Sequence, residues 1–222
     1  MIVADRKPLD EILESIKGYK KIMLMACGGC VTICFSGGSK AAELLASQIK
    51  MAREKEGNPI EIVECTPERQ CEFEFIDSFK DQVKDVEAVL SIACGVGVQT
   101  MNEHFEEAVT LPGLNTKFMG YPVEHAVWEE RCAGCGDCEL QWTGGICPIA
   151  RCAKKLLNGP CGGSSEGVCE VDKDIKCVWQ VIYDRLEKIG KLDNLTVVRE
   201  PKDWRTSTAA GQRKTRFEEA ML

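Results

Sequence analysis

Cys132-Ala-Gly-Cys135-Gly-Asp-Cys138 constrains this chain more than any other stretch. Three thiols recur at every third residue, with only small or short polar residues between them. A loop so spaced wraps three thiolates around three corners of one iron–sulfur cube, and Gly134 and Gly136 free the backbone to turn. Zinc usually takes its cysteines as two separated C-x2-C pairs. Three in register therefore favour iron, with zinc as the alternative.

The spacing matches the first three ligands of the bacterial ferredoxin run, and Cys147-Pro148 resembles the Cys-Pro that closes such runs, after a longer gap. The chain holds 14 cysteines in 222 residues. In a secreted protein these would read as disulfides. Met1-Ile-Val-Ala-Asp-Arg-Lys-Pro8 lacks an apolar signal core, and no apolar run is long enough to span a bilayer. A cytoplasmic protein with metal-binding or catalytic thiols is expected. The net charge of −7 argues against nucleic acid as a partner.

Residues 7–17 read as a helix, with Leu9, Ile12, Leu13 and Ile16 on one face and Gly18 to end it. Residues 20–26 read as a buried strand that runs into Cys27-Gly-Gly-Cys30-Val-Thr-Ile-Cys34. A strong helix follows to about Glu56, then a strand over 60–64 that ends at Cys65. A helical face at Phe75, Phe79 and Val83 precedes a strand over 86–93 that ends at Cys94. A short helix is expected near 98–108 and a fourth strand over 117–123.

This alternation predicts an α/β fold: a small parallel sheet with helices on both faces. Ligands bind beyond the carboxyl ends of such strands, and three predicted strands run into Cys27, Cys65 and Cys94 there. A single strand-end cysteine is usually a small buried hydrophobe. Three, joined by Cys30 and Cys34, point to a metal site. The expected ligands are Cys27, Cys30, Cys34 and Cys94, with Cys65 or Cys71 able to replace Cys34 or Cys94. The layout is similar to the flavodoxin-like domain of nickel–iron hydrogenase small subunits, where a C-x2-C after the first strand also holds a cluster.

A boundary is expected near 126. Residues 127–198 then form a cysteine-rich, loop and helix, ferredoxin-like metal domain with Cys132, Cys135, Cys138, Cys147, Cys152, Cys161, Cys169 and Cys177. Eight thiols are the ligand count of two cubes, although only the first three have diagnostic spacing. Helices are expected over 148–157 and 177–189. The tail, 199–222, carries Arg199, Lys202, Arg205, Arg213, Lys214 and Arg216 with little apolar periodicity. It reads as an arm that orders on a partner, anchored by Trp204, Phe217 and Met221.

No catalytic residue is assigned. Gly95-Val-Gly97 lacks the third glycine of a dinucleotide fingerprint, and Gly37-Gly-Ser39-Lys40 lacks the P-loop spacing. His104 and His125 read as structural.

Cys27-Gly-Gly-Cys30, the 132–138 motif, Asn158-Gly-Pro-Cys161-Gly-Gly163 and Cys169-Glu-Val171 together resemble the small, MetV-type subunit of acetogenic methylenetetrahydrofolate reductase, over roughly residues 20–195. Residues 127–198 resemble its C-terminal domain family. The resemblance implies an iron–sulfur subunit that docks on a larger barrel subunit. That partner binds FMN or FAD and reduces 5,10-methylenetetrahydrofolate to 5-methyltetrahydrofolate, in the methyl branch of the acetyl-CoA pathway. This chain lacks the eightfold repeat of such a barrel, so it is not expected to act on folate alone. Two [4Fe-4S] clusters are expected and a third is allowed, with zinc an option at one site. A larger electron-bifurcating or ferredoxin-linked complex is a further expected partner. The alternative is a zinc-stabilised adaptor that carries no electrons.

Overall fold

The computed structural model describes residues 1–217, which divide into two units at Glu129/Glu130. Met221, the last of the anchors expected in the tail, lies outside the described residues.

The first unit contains β1 (Ile2–Arg6), α1 (Leu9–Ser15), β2 (Lys21–Met25), α2 (Cys30–Ile33), α3 (Ser39–Lys55) and β3 (Glu61–Cys65). It continues with α4 (Phe73–Asp77), α5 (Lys80–Lys84), β4 (Ala88–Ser91), α6 (Gly95–His104), β5 (Thr110–Pro112) and β6 (Leu114–Glu124), and the boundary falls within β7 (Val127–Cys132). Four strands form a parallel sheet in the order β3-β2-β4-β5.

Alternation along β2 sends its side chains to two cores. Ile22 and Leu24 pack with Ile12 of α1, Ile16 just beyond it, and Leu45 and Ile49 of α3. Met23 and Met25 pack with Ile76 of α4, Val83 of α5 and Met101 of α6. Helices therefore cover both faces, as the continuous apolar runs predict. Arg53 closes one end of the first core. Its guanidinium is buried and donates to the carbonyls of Ile16, Tyr19 and Asn58 at 2.9, 3.0 and 2.9 Å.

Residues 117–123 do not supply the fourth parallel strand. That place belongs to β5, and β6 lies in a second sheet of order β1-β6-β7. There β1 pairs antiparallel with β6, from Ile2 opposite Met119 to Arg6 opposite Leu114. The switch follows from burial. Most of β6 is exposed or half-exposed, a pattern an antiparallel sheet with one wet face accepts and an interior parallel strand does not. Gly120 is required where β6 meets β7, because a Cβ there would stand 2.0 Å from the Glu129 carbonyl oxygen.

The second unit is mostly loop. Its helices are α7 (Pro148–Arg151) and α8 (Val178–Lys188), with 3-10 turns over 192–195, 204–206 and 208–210. Val178, Trp179, Ile182 and Leu186 give α8 its buried stripe, which packs with Cys177, Ile146, Cys152 and Leu192. The Trp179 indole N–H donates to the Leu156 carbonyl at 3.0 Å. Gly190, at φ +66°, ends α8. The helix expected over 148–157 stops at Arg151: Cys152 is extended and Lys155 turns left-handed at φ +54°.

Candidate metal centres

The fourteen thiols are all free. Several of them gather in three places.

The first is the carboxyl edge of the parallel sheet. Cys27 leaves β2, Cys30 opens α2 and Cys94 caps α6. The 67–71 segment lies against this edge: the Gly28 N–H donates to the Pro67 carbonyl at 2.9 Å. A Cβ on Gly28 would reach 3.1 Å from the Glu68 carbonyl oxygen. This delivers Cys71 to the same edge. Its thiol pKa is raised, first by partial burial and then by the neighbouring Cys27 and Cys94 sulfurs. Thiols from three separate loops thus meet at one edge, with Cys30 on the first of those loops.

Cys34 and Cys65 make contacts of their own. The Cys34 sulfur is buried, 3.1 Å from Ser36 Oγ and 3.8 Å from the Ala4 carbonyl oxygen, within the core that β1 covers. Cys65 packs against the core of Met23 and Met25, on the opposite face of the sheet, and burial pushes its thiol up to about 12. Cys71, expected on a par with Cys65 as a replacement ligand, is the thiol near Cys27 and Cys94.

The second place is the 132–138 loop. Gly134 and Gly136 are left-handed, at φ +59° and +82°, which only glycine adopts at little cost. The Gly134 N–H points at the Cys132 sulfur at 3.4 Å. The Cys135 sulfur stands 3.4 Å from the Asp137 carbonyl oxygen. Cys147 caps α7 and accepts from the Ala150 N–H at 3.4 Å.

The third is a cavity of about 20 Å³ lined by Cys152, Cys161, Cys169 and Cys177, with Arg151, Lys154 and Lys176 around it. Two antiparallel bridges, Ser165 to Val168 and Val168 to Lys176, fold the 161–177 loops over it. The Cys161 thiol pKa is lowered, first by the backbone N–H of Gly163 and also by Lys154. Sulfur donors beside cations suit a thiolate-bound metal. The volume is room for one ion or one water. Among the described residues, no three His, Cys, Asp or Glu side chains stand close enough together to hold a single ion as they are. The thiolates of a cube bind four different irons and stand farther apart than the ligands of one ion.

The histidines are accounted for by packing. His104 stacks on Phe73 and lies 3.1 Å from the Asp77 carboxylate, and His125 packs on Phe35. No helix among the described residues is long and apolar enough to cross a membrane.

Residues 111–205 match the model of a family described as methylene-tetrahydrofolate reductase C terminal. The match begins in β5 and includes all eight cysteines of the second unit. No curated protein and no solved structure matches the chain.

Proposed function

We propose that this chain, whose residues 111–205 match the methylene-tetrahydrofolate reductase C-terminal family, is the iron–sulfur electron-transfer subunit of such a reductase. The observation that carries the reading is that Cys71 lies close enough to Cys27 and Cys94, which come from two other loops, for their charges to act on its thiol. A bound [4Fe-4S] cube supplies one-electron transfer. Cys27, Cys30, Cys71 and Cys94 hold one cube, and Cys132, Cys135, Cys138 and Cys147 hold another. Backbone amides such as that of Gly134 donate to the thiolates and favour the reduced state.

The partner is a barrel subunit that carries FMN or FAD and reduces 5,10-methylenetetrahydrofolate to 5-methyltetrahydrofolate. Flavin converts between one- and two-electron steps, so a one-electron relay is the complement it needs. The chain relays electrons to or from that flavin, alone or within a larger electron-bifurcating or ferredoxin-linked complex. It has no folate activity by itself.

The Cys152, Cys161, Cys169 and Cys177 cavity supports a second reading for that site alone. Its volume of about 20 Å³ is too small for a cube, and its four thiols would draw together to hold one zinc ion. Zinc there would staple a loop-rich unit whose core rests on one short helix.

Anaerobic analysis of metal and acid-labile sulfide in the purified chain, with absorption spectra before and after dithionite, tests this. About eight irons and eight sulfides with one zinc support both readings. About twelve irons place a cube in the cavity as well. Zinc without sulfide overturns the electron-transfer reading and leaves the adaptor.

A further inference from the structure

We propose that residues 199–213 form an internal strap that holds the 132–138 cysteine loop, and that Lys202 tunes the metal group on that loop by placing a positive charge beside Cys135. This rests on the loop holding an iron–sulfur cluster.

The contacts follow in order and in opposite directions along the two segments. Arg199 pairs with the Glu139 carboxylate and lies 5.3 Å over the Trp142 ring. Lys202 donates to the Asp137 carbonyl oxygen and stands 3.4 Å from the Asp137 carboxylate. The Thr206 hydroxyl reaches the Cys135 carbonyl oxygen at 2.9 Å. Arg213 donates to the Gly134 carbonyl oxygen at 2.7 Å and to the Thr206 carbonyl oxygen at 2.6 Å. Positions 199, 202, 206 and 213 thus meet 139, 137, 135 and 134. The fit is close, since a Cβ on Gly136 would fall 2.2 Å from the Thr206 carbonyl oxygen.

A solvated tail has no reason to bury a lysine. The Lys202 side chain is 1 % exposed, and lysine is almost never so buried without a partner. Its partners here are the Asp137 carboxylate and the Asp137 carbonyl oxygen, and the carbonyl oxygen also faces the Cys135 sulfur, so the ammonium sits one oxygen atom away from that thiol. The Trp204 ring, 5.5 Å from the ammonium, covers it further. In so dry a place a charge acts strongly.

Two consequences follow for the loop. A trans peptide carries its N–H opposite its C=O. Holding the Gly134, Cys135 and Asp137 carbonyls toward the strap therefore turns the amides of Cys135, Gly136 and Cys138 away from it, where thiolates can use them. The buried cation also stabilises the more negative, reduced state of a cluster on this loop and raises its reduction potential.

The test uses the full chain and the variants Lys202→Met, Lys202→Arg and Thr206→Val. The first measurement is the iodoacetamide alkylation rate of Cys135 and Cys138 in metal-stripped protein, with Cys71 as internal reference and circular dichroism to verify the fold. Lys202→Met and Thr206→Val raise the rates at Cys135 and Cys138 about tenfold and leave Cys71 unchanged. Unchanged rates overturn the strap. The second is an EPR-monitored redox titration of the anaerobic, metal-loaded chain. Lys202→Met lowers the potential of one cluster by about 59 mV, a tenfold change in a one-electron equilibrium, and Lys202→Arg restores it. An unmoved potential, or one that moves equally in every cluster, overturns the tuning role. Failure of the iron–sulfur reading has a different signature: wild-type chain without iron or sulfide, in which case alkylation still decides the strap.

Discussion

The Ser91 hydroxyl hydrogen-bonds the side-chain oxygen of Gln70, and both residues are fully buried. The amide nitrogen of Gln70 lies 3.4 Å from the carbonyl oxygens of Met25 and Ala26. One polar side chain thus ties the ends of β2 and β4 to the 67–71 segment, and the next residue is Cys71.

Replacing Gln70 by Leu should therefore do two things. It takes the acceptor away from the buried Ser91 O–H, which costs roughly 1–3 kcal/mol. It also frees Cys71 from the sheet edge. Urea denaturation should show the loss of stability, and iron content after anaerobic purification should fall. A variant with wild-type stability and iron would remove Gln70 from this role.

Cys34 and Cys71 can be told apart directly. Cys34→Ala should keep its iron and sulfide and lose about 1 kcal/mol, the cost of a small core cavity. Cys71→Ser should lose about four irons and four sulfides per chain. The opposite pattern would return Cys34 to the ligand set.

How far the sequence could be read depended on whether the information was local. β2 and β4 were legible because a strand buried on both faces leaves an unbroken apolar run. The helical stripe of α8 was legible from its 3.6-residue period. The glycines of the 132–138 loop were legible because the motif needs left-handed turns. The rest depended on pairings across long sequence separations. β6 finds β1 more than a hundred residues away, a partner that no local pattern names. Cys65 looks like a ligand as a strand-end thiol and Cys34 as the third thiol after the first strand, yet the direction of each side chain is set by neighbouring elements. Cys71 reaches the edge through Gln70, whose partners are 21 to 45 residues away. The tail read as a solvated or partner-bound arm because nothing near Lys202 in sequence announces Asp137.

Two ionisable groups of the first unit predict opposite limbs of its pH dependence. Burial raises the Cys65 thiol to about 12, so the folded state favours the neutral form. Its contribution is complete below the unfolded thiol range near 9 and is lost as pH rises from about 9 towards 12. Cys65→Val should flatten that alkaline limb. Glu87 behaves in the reverse sense. Its carboxylate accepts the N–H groups of Lys20 and Lys21 at 2.5 and 2.9 Å, which lowers its pKa. That contribution is present above the ordinary carboxylate range and fades as pH falls through the lowered value. Glu87→Gln should flatten the acid limb and leave the alkaline one alone. Parallel pH profiles for wild type and both variants would show that other groups govern the titration.

Metal removal should act on the two units differently. Cys152 and Cys177 belong to the small core of the second unit, beside Trp179 and Ile182. The loops of residues 152–177 have little other apolar support and few backbone pairings. Stripping the metal from the cavity should therefore expose them, since binding free energy in such a site is folding free energy. The parallel sheet rests instead on Ile22, Leu24, Leu45, Ile49, Leu90 and Ile92, none of which depends on a thiolate. Hydrogen exchange after treatment with a strong chelator should become fast over 152–177 and remain slow in β2 and β4. Equal acceleration in β2 and β4 would mean that the sheet also needs its metal to fold. Unchanged exchange over 152–177 would mean that the cavity holds no structural ion.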